Sequence, residues 1–242
     1  VKAVGMIADK TGYLRITQFS ASTAADVEKA VGKLRKDGAE SLIIDVRNNP
    51  GGLLNSAVET LSRFLPEDKL AVSVEGRAEE TIRHNTVSCW KDRDIPVVIL
   101  VNENSASAAE ILAACMQDYK RAILVGSKTF GKGSVQTVIP LRDYGAMRLT
   151  TARYYTPSGR SIQAKGIEPD VEVKPAKIEE LESYALNISE ADLNNALKND
   201  SDIDAGNEKK NGKSKEDLAD YQLVRALDLV KALALYSKSD EK

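Results

Sequence analysis

An α/β domain on a largely parallel sheet is the fold this sequence predicts, and three observations predict it. Two short, almost wholly apolar runs, at 41–46 and 95–101, read as strands covered on both faces. Between such runs lie segments whose apolar residues recur at three- and four-residue spacing, the mark of amphipathic helices. Strand and helix alternate over roughly the first 130 residues, the order that βαβ units with right-handed crossovers require.

Each element has its own warrant. Residues 12–19 carry the β-formers Tyr13, Ile16 and Thr17 and predict a strand. Residues 22–36 predict a helix, with Ala25, Val27, Ala30, Val31 and Leu34 in helical spacing and Ser22 or Thr23 as N-cap. The strand at 41–46 ends in Asn48-Asn49-Pro50-Gly51-Gly52, a sharp chain break. A helix over 53–65 follows, then strands over 70–75 and 95–101, a helix over 105–119 and a strand over 122–125. Residues 135–140 and 146–155 read as a hairpin around Asp143-Tyr144-Gly145. Beyond Pro175 the composition changes. Segments 177–185 and 189–197 have helical spacing, whereas 199–215 is too polar to bury much and predicts a mobile linker. Residues 217–236 regain an apolar stripe, Leu218, Tyr221, Val224, Leu227 and Val230, that should dock on the domain or on a partner. The organisation is thus a core over 1–175, a polar and partly helical region over 176–216 and a terminal amphipathic helix over 217–236.

Composition narrows the function. The 242 residues can bury a core without disulfide staples. With 34 basic and 36 acidic residues, and no cluster of Lys or Arg among aromatics, nothing points to nucleic acid. No apolar stretch approaches the ~18–20 residues of a membrane span. Residues 1–5 carry neither a signal-peptide pattern nor an initiator Met, so any address label is expected upstream. The single histidine, His84, excludes a multi-His metal site within the chain and is expected in a surface loop. Of Cys89 and Cys115, the second falls in an apolar helical pattern and should be a buried, inert thiol. Trp90 and Phe130 are expected to pack, and Arg121, Arg148 and Arg153 to be solvated or structural.

Three segments carry chemistry. Asn102-Glu103-Asn104-Ser105-Ala106-Ser107-Ala108-Ala109-Glu110 follows an apolar strand and opens a helix. That junction exposes a serine at the carboxyl edge of a parallel sheet, where free helix N–H groups can meet an oxyanion. Serines and asparagines at such places are also ordinary N-caps. Thr129-Phe130-Gly131-Lys132-Gly133-Ser134-Val135-Gln136 fixes a lysine between two glycines. A desolvated lysine beside a hydroxyl can serve as general base. The stretch 126–134 nearly matches a phosphate loop, but Gly133 stands where that motif needs Ser or Thr and a strand follows instead of a helix. Asp45-Val46-Arg47-Asn48-Asn49-Pro50-Gly51-Gly52 offers backbone N–H groups at a strand end, with Asp45 and Arg47 expected to pair across the turn.

Together the runs D-V-R-N-N-P-G-G-L-L, N-S-A-S-A-A-E-I and T-F-G-K-G-S-V-Q, in that order, resemble the carboxyl-terminal processing peptidases, the Ser-Lys endopeptidases of the tail-specific protease group. The similarity continues through residues 154–163 and 166–170 and covers about residues 10–175, with Ala109 where many members carry a second serine. It implies Ser107 as nucleophile, Lys132, 25 positions on, as general base, and Gln136 as the residue orienting the lysine. It implies an oxyanion hole from the N–H of Ala108 and of Gly51 or Gly52, Gly51 being the preferred of the two. The implied fold is a crotonase-like core of stacked βαβ units with a smaller β-subdomain and a C-terminal helical extension. The implied activity is cleavage of polypeptides near their C-terminus, with no metal or organic cofactor. Family members usually carry an upstream PDZ domain, which the resemblance leads one to expect ahead of this sequence in the full-length protein, since nothing before Val4 has room for it, and bacterial members are usually exported to the periplasm or the outer face of the membrane. The extension is a candidate surface for an adaptor or a second copy. The alternative is a catalytically silent peptide- or ligand-binding module on the same fold.

Overall fold

Strands that are apolar on both faces need cover on both faces, and the chain supplies it from two sides. The computed structural model describes residues 1–8, 10–76, 80–87, 94–142, 145–176 and 220–237. The elements are β1 (Ala3–Ala8), β2 (Thr11–Arg15), α1 (Thr23–Lys36), β3 (Ser41–Asp45), α2 (Leu54–Leu61), β4 (Leu70–Gly76) and β5 (Ile82–Asn85). Then come β6 (Val97–Val101), α3 (Ala108–Asp118), β7 (Ile123–Gly126), β8 (Ser134–Leu141), β9 (Gly145–Tyr155), β10 (Val171–Glu172) and α4 (Tyr221–Ser237). The main sheet runs β1-β2-β3-β6-β7-β10, parallel throughout except for β1 at the edge. A second, antiparallel sheet runs β5-β4-β9-β8.

Side chains alternate across a strand, so β3 divides its apolar residues between two layers. Leu42 and Ile44 join Ile99 and Val101 of β6 against α1, α2 and α3, where Val31, Leu34, Leu61, Ile111 and Leu112 are buried. Ile43 turns the other way with Val98, Leu100 and Val125, and this layer is closed by Leu223, Ala226, Leu227 and Val230 of α4. The terminal amphipathic helix therefore docks on the domain. Burying one such Leu or Val contributes about 1.5–3 kcal/mol, enough to hold a helix whose opposite side faces water.

The predicted elements recur with adjusted ends. The helix expected at 105–119 begins only at Ala108, because the Ser105 hydroxyl turns back to accept the Asn102 N–H at 3.1 Å and donates to Val46 C=O at 2.8 Å. The strand expected over 12–19 ends at Arg15; beyond it Phe19 N–H reaches Gly51 C=O at 2.9 Å. β1, β5 and β10 escaped the sequence reading, two being partly exposed edge strands and the third two residues long. His84 accordingly lies on β5, opposite Val72, and not in a loop, and its partial burial lowers its pKa. Cys115 is buried, and burial, helped by Asp118, pushes its thiol well above the ordinary range. The helices expected at 177–185 and 189–197, the linker at 199–215, Cys89 and Trp90 lie outside the described residues. Among the described residues no helix is long and apolar enough to cross a membrane.

Candidate active site

Three chain segments leave the carboxyl ends of β3, β6 and β7, which are parallel neighbours, so they emerge along one edge of the sheet. The first two are stitched together. Asn48 N–H donates to Asn102 Oδ1 at 2.9 Å, and Asn102 Nδ2 and Asn104 Nδ2 each donate to Asn48 Oδ1 at 2.9 Å. Ala106 N–H donates to Asn49 C=O at 2.9 Å. The turn after β3 is anchored from behind by Asp45, fully buried, which accepts Arg47 Nη2 at 2.7 Å and Tyr13 OH at 2.8 Å. The expected Asp45–Arg47 pair is thus present, and it extends further than the sequence indicated: Arg47 also binds Asp220 Oδ2 at 2.7 Å and Gln222 Oε1 at 3.1 Å, at the start of α4. Burial alone would lower the Arg47 pKa, but the hydrogen bonds and charges of Asp45 and Asp220 outweigh it and raise it. Burial works to raise that of Asp220, yet Arg47 and the Leu223 and Gln222 N–H groups hold it below the usual carboxylate range.

Ser107 caps α3 with φ 55° and ψ −115°, a backbone conformation that residues other than glycine rarely adopt. Its N–H donates to Glu110 Oε2 at 2.9 Å. Ala108, the first residue of the helix, is buried, and among the described residues its N–H meets no acceptor. The two glycines behave differently. Gly51 is buried with φ 99°, and a Cβ on it would lie 2.8 Å from Ser107 Cβ, so only glycine fits beside the serine. Its N–H, however, is taken by Asn49 Oδ1 at 2.8 Å, while Asn49 Nδ2 is fixed on Ile16 C=O at 2.8 Å. Gly52 is exposed, and among the described residues its N–H has no acceptor.

Lys132 lies half-buried in the loop between β7 and β8. The loop is held by residues 162–167, the segment that extended the sequence resemblance. Thr129 N–H donates to Ile167 C=O at 3.0 Å, Ala164 N–H to Gly131 C=O at 2.9 Å, and Gly133 N–H to Gln163 Oε1 at 3.1 Å. That segment is tied in turn to the end of α3, where Arg160 pairs with Asp118 and donates to Gln117 Oε1 at 3.0 Å. Burial works to raise the Asp118 pKa, but bonds from Thr156 and Ser158 and the charge of Arg160 keep it low. Among the described residues no hydrogen bond joins the Ser107 and Lys132 side chains. Gln136 is exposed on β8, just past a bulge at Val135/Gln136, and does not hydrogen-bond Lys132. Phe130, expected to pack, is 66% exposed, because its backbone N–H is fixed on Ser105 C=O at 3.1 Å while its neighbours Thr129 and Gly131 occupy the interior.

The residue that the sequence reading passed over is Glu110. It is fully buried, and besides Ser107 it accepts the N–H of Lys132 at 2.8 Å and of Gly131 at 2.7 Å and the Thr129 hydroxyl at 2.5 Å. The S-x-x-E spacing of Ser107 and Glu110 is a capping-box signature and was the available signal. The asparagines had a signal as well: Asn48 and Asn102 each follow a buried parallel strand.

A serine at a helix N-terminus, a glycine turn and a clamped lysine loop thus stand along one edge of a parallel sheet. The chain belongs to peptidase family S41, whose model matches residues 10–173. It is 38% identical over 225 residues to a carboxy-terminal-processing protease of Bartonella bacilliformis, covering 91% of this chain and 52% of that protein. It is 40% identical over 173 residues to a CtpA-like serine protease of Staphylococcus aureus, covering 71% of this chain and 35% of that one. The chain therefore spans about half, or less, of the length of these relatives. Among solved structures, the photosystem II D1 C-terminal processing protease superposes with a TM-score of 0.63 at 36% identity, over 68% of this chain and 42% of that one. Mature CPAF gives 0.58 at 16% identity, over 70% and 49%, which shows a common fold.

Proposed function

We propose that this chain is the catalytic core of a serine endopeptidase that cuts polypeptides near their C-terminus with a Ser107–Lys132 dyad. The observation that carries the reading is the strained Ser107 at the head of α3, with an unengaged Ala108 N–H beside it and the lysine loop tied to the same buried carboxylate. Ser107 Oγ attacks the scissile carbonyl carbon while Lys132 Nζ takes the hydroxyl proton. The proton goes to the leaving amine as the C–N bond breaks and an acyl-enzyme forms. Water then attacks the ester, Lys132 takes its proton, and Ser107 is regenerated. The Ser107–Lys132 hydrogen bond belongs to the substrate-bound state, since such bonds are often long in unliganded enzymes.

The oxyanion hole in this reading uses the Ala108 N–H and the Gly52 N–H. Gly51, the amide preferred on sequence grounds, already donates to Asn49; Gly51 serves by leaving room beside Ser107. Gln136 orients Lys132 in the substrate-bound state. The reading also takes the core as crotonase-like, the full-length protein as exported in bacteria with an upstream PDZ domain, and α4 as internal bracing. No metal or organic cofactor enters the chemistry. The test is cleavage of casein by the chain beside Ser107→Ala and Lys132→Ala. Loss in both folded variants is expected; full cleavage by folded Lys132→Ala would overturn the dyad. No cleavage by the unaltered chain would leave a latent protease or the silent binding module, and fluorophosphonate labelling of Ser107 would separate them, the silent module remaining unlabelled.

A further inference from the structure

We propose that Glu110 is a positioning residue that holds the nucleophile and the lysine in one frame, an inference that rests on the Ser107–Lys132 reading and adds a part to it. The two groups are 25 residues apart in sequence, and among the described residues no hydrogen bond joins their side chains. Their backbones meet on a single atom. Glu110 Oε2 accepts the N–H of Ser107 at 2.9 Å and the N–H of Lys132 at 2.8 Å. The two amide nitrogens therefore cannot be further apart than the sum of those distances. The other oxygen, Oε1, accepts the Gly131 N–H at 2.7 Å and the Thr129 hydroxyl at 2.5 Å, so both arms of the carboxylate are filled by the two segments that must act together.

Three further observations give this contact a role beyond packing. Ser107 is held at φ 55°, and the bond from its N–H to Glu110 fixes the peptide that strain would otherwise release. With that N–H engaged, the neighbouring Ala108 N–H is, among the described residues, a donor without an acceptor at the helix start. Thr129 carries the frame outward: its Oγ1 also accepts the Ile167 N–H at 2.7 Å, joining Glu110 to the segment that walls the lysine loop. A buried carboxyl is costly unless its lone pairs are used, and here the donors that use them all come from the nucleophile turn and the lysine loop. Glu110→Gln is nearly isosteric but puts an NH2 donor on one arm and removes the charge that strengthens the bonds on the other, so the Ser107 and Lys132 N–H groups, which share one oxygen, lose their hold together.

The test compares the full chain with Glu110→Gln, Thr129→Val and Thr129→Ser, reading casein or peptide turnover, fluorophosphonate labelling of Ser107, melting temperature and amide hydrogen exchange. The expected result for folded Glu110→Gln is a kcat lowered on the order of 100-fold, the scale of a ~1 Å misplacement, with KM within about threefold and labelling slowed in step. Exchange of the Ser107, Gly131 and Lys132 amides should accelerate together, while that of Gly51, held by Asn49, should not. A folded Glu110→Gln with kcat within about threefold of the original would overturn the proposal. So would faster exchange at Ser107 with Lys132 unchanged, a readout that needs no turnover and separates this proposal from failure of the dyad reading. If Glu110→Gln does not fold, Thr129→Val decides. It should lower kcat by about tenfold at unchanged KM, with Thr129→Ser restoring it, and original kcat in Thr129→Val would refute the frame.

Discussion

Gly51→Ala perturbs the site at one methyl group, and the structure sets the size of the effect. The new Cβ would lie 2.7 Å from Ala106 O, 2.8 Å from Ser107 Cβ and 2.9 Å from Ala108 N, all closer than real Cβ contacts come. Two of these atoms are backbone and the third is fixed to it, so no side-chain rotation relieves the clash; the Ser107 turn has to move. The left-handed backbone at φ 99° adds about 1–2 kcal/mol for a residue with a Cβ, and overpacking about 1–3 kcal/mol. A loss of about 2–5 kcal/mol corresponds to a melting temperature lowered by roughly 4–20 °C at this chain length. Displacement of Ser107 by a good fraction of an ångström should slow its labelling by a fluorophosphonate by up to ~100-fold. Gly32→Ala is the control: it lies in α1 with nothing within 4 Å of its added Cβ, and it should be stabilised by about 0.5–1 kcal/mol with labelling unchanged. A Gly51→Ala protein that labels at the original rate and melts within ~2 °C of the original would refute the placement of Gly51 against Ser107.

Leu227→Ala empties a buried position of α4 against the sheet and should cost about 2–5 kcal/mol in urea unfolding; a cost under ~0.5 kcal/mol would mean that α4 does not close that layer. Asp220 has its folded pKa lowered chiefly by Arg47 against the opposing effect of burial. Its contribution is therefore present above the unfolded value of about 3.9 and is lost as pH falls through the lower folded value. The stability gap between the chain and Asp220→Asn should shrink on acidification through that window, and a gap undiminished at the acid end would contradict the pairing. Phe130→Ala removes an exposed ring and should change stability by less than about 0.5 kcal/mol while altering KM for polypeptide substrates; a large loss of stability would return Phe130 to the core.

The parallel sheet and its helices were legible because each buried strand is a dense apolar run and each helix keeps its stripe, so pattern and burial coincide at Leu42, Ile43 and Ile44. The edge strands were not, since β1 and β5 carry side chains that mostly face water and leave little periodic signal. At the site, the motifs marked Ser107, Lys132 and the glycine pair, but not their support. Which glycine N–H is engaged depends on the Asn49 carboxamide, fixed by Ile16 from a distant strand end. The reach of Arg47 to Asp220 spans 173 positions, a contact that no local pattern announces. Glu110 lay inside a recognised motif and still went unread, because a capping-box glutamate looks the same in sequence whether it serves one helix or two loops.

The most direct test of the account is to treat the chain with a fluorophosphonate and locate the adduct by mass spectrometry, beside Lys132→Ala. The account predicts an adduct on Ser107, formed at a rate that collapses in folded Lys132→Ala. An adduct on another serine such as Ser105 or Ser134, or Lys132→Ala labelled as fast as the original, would contradict it.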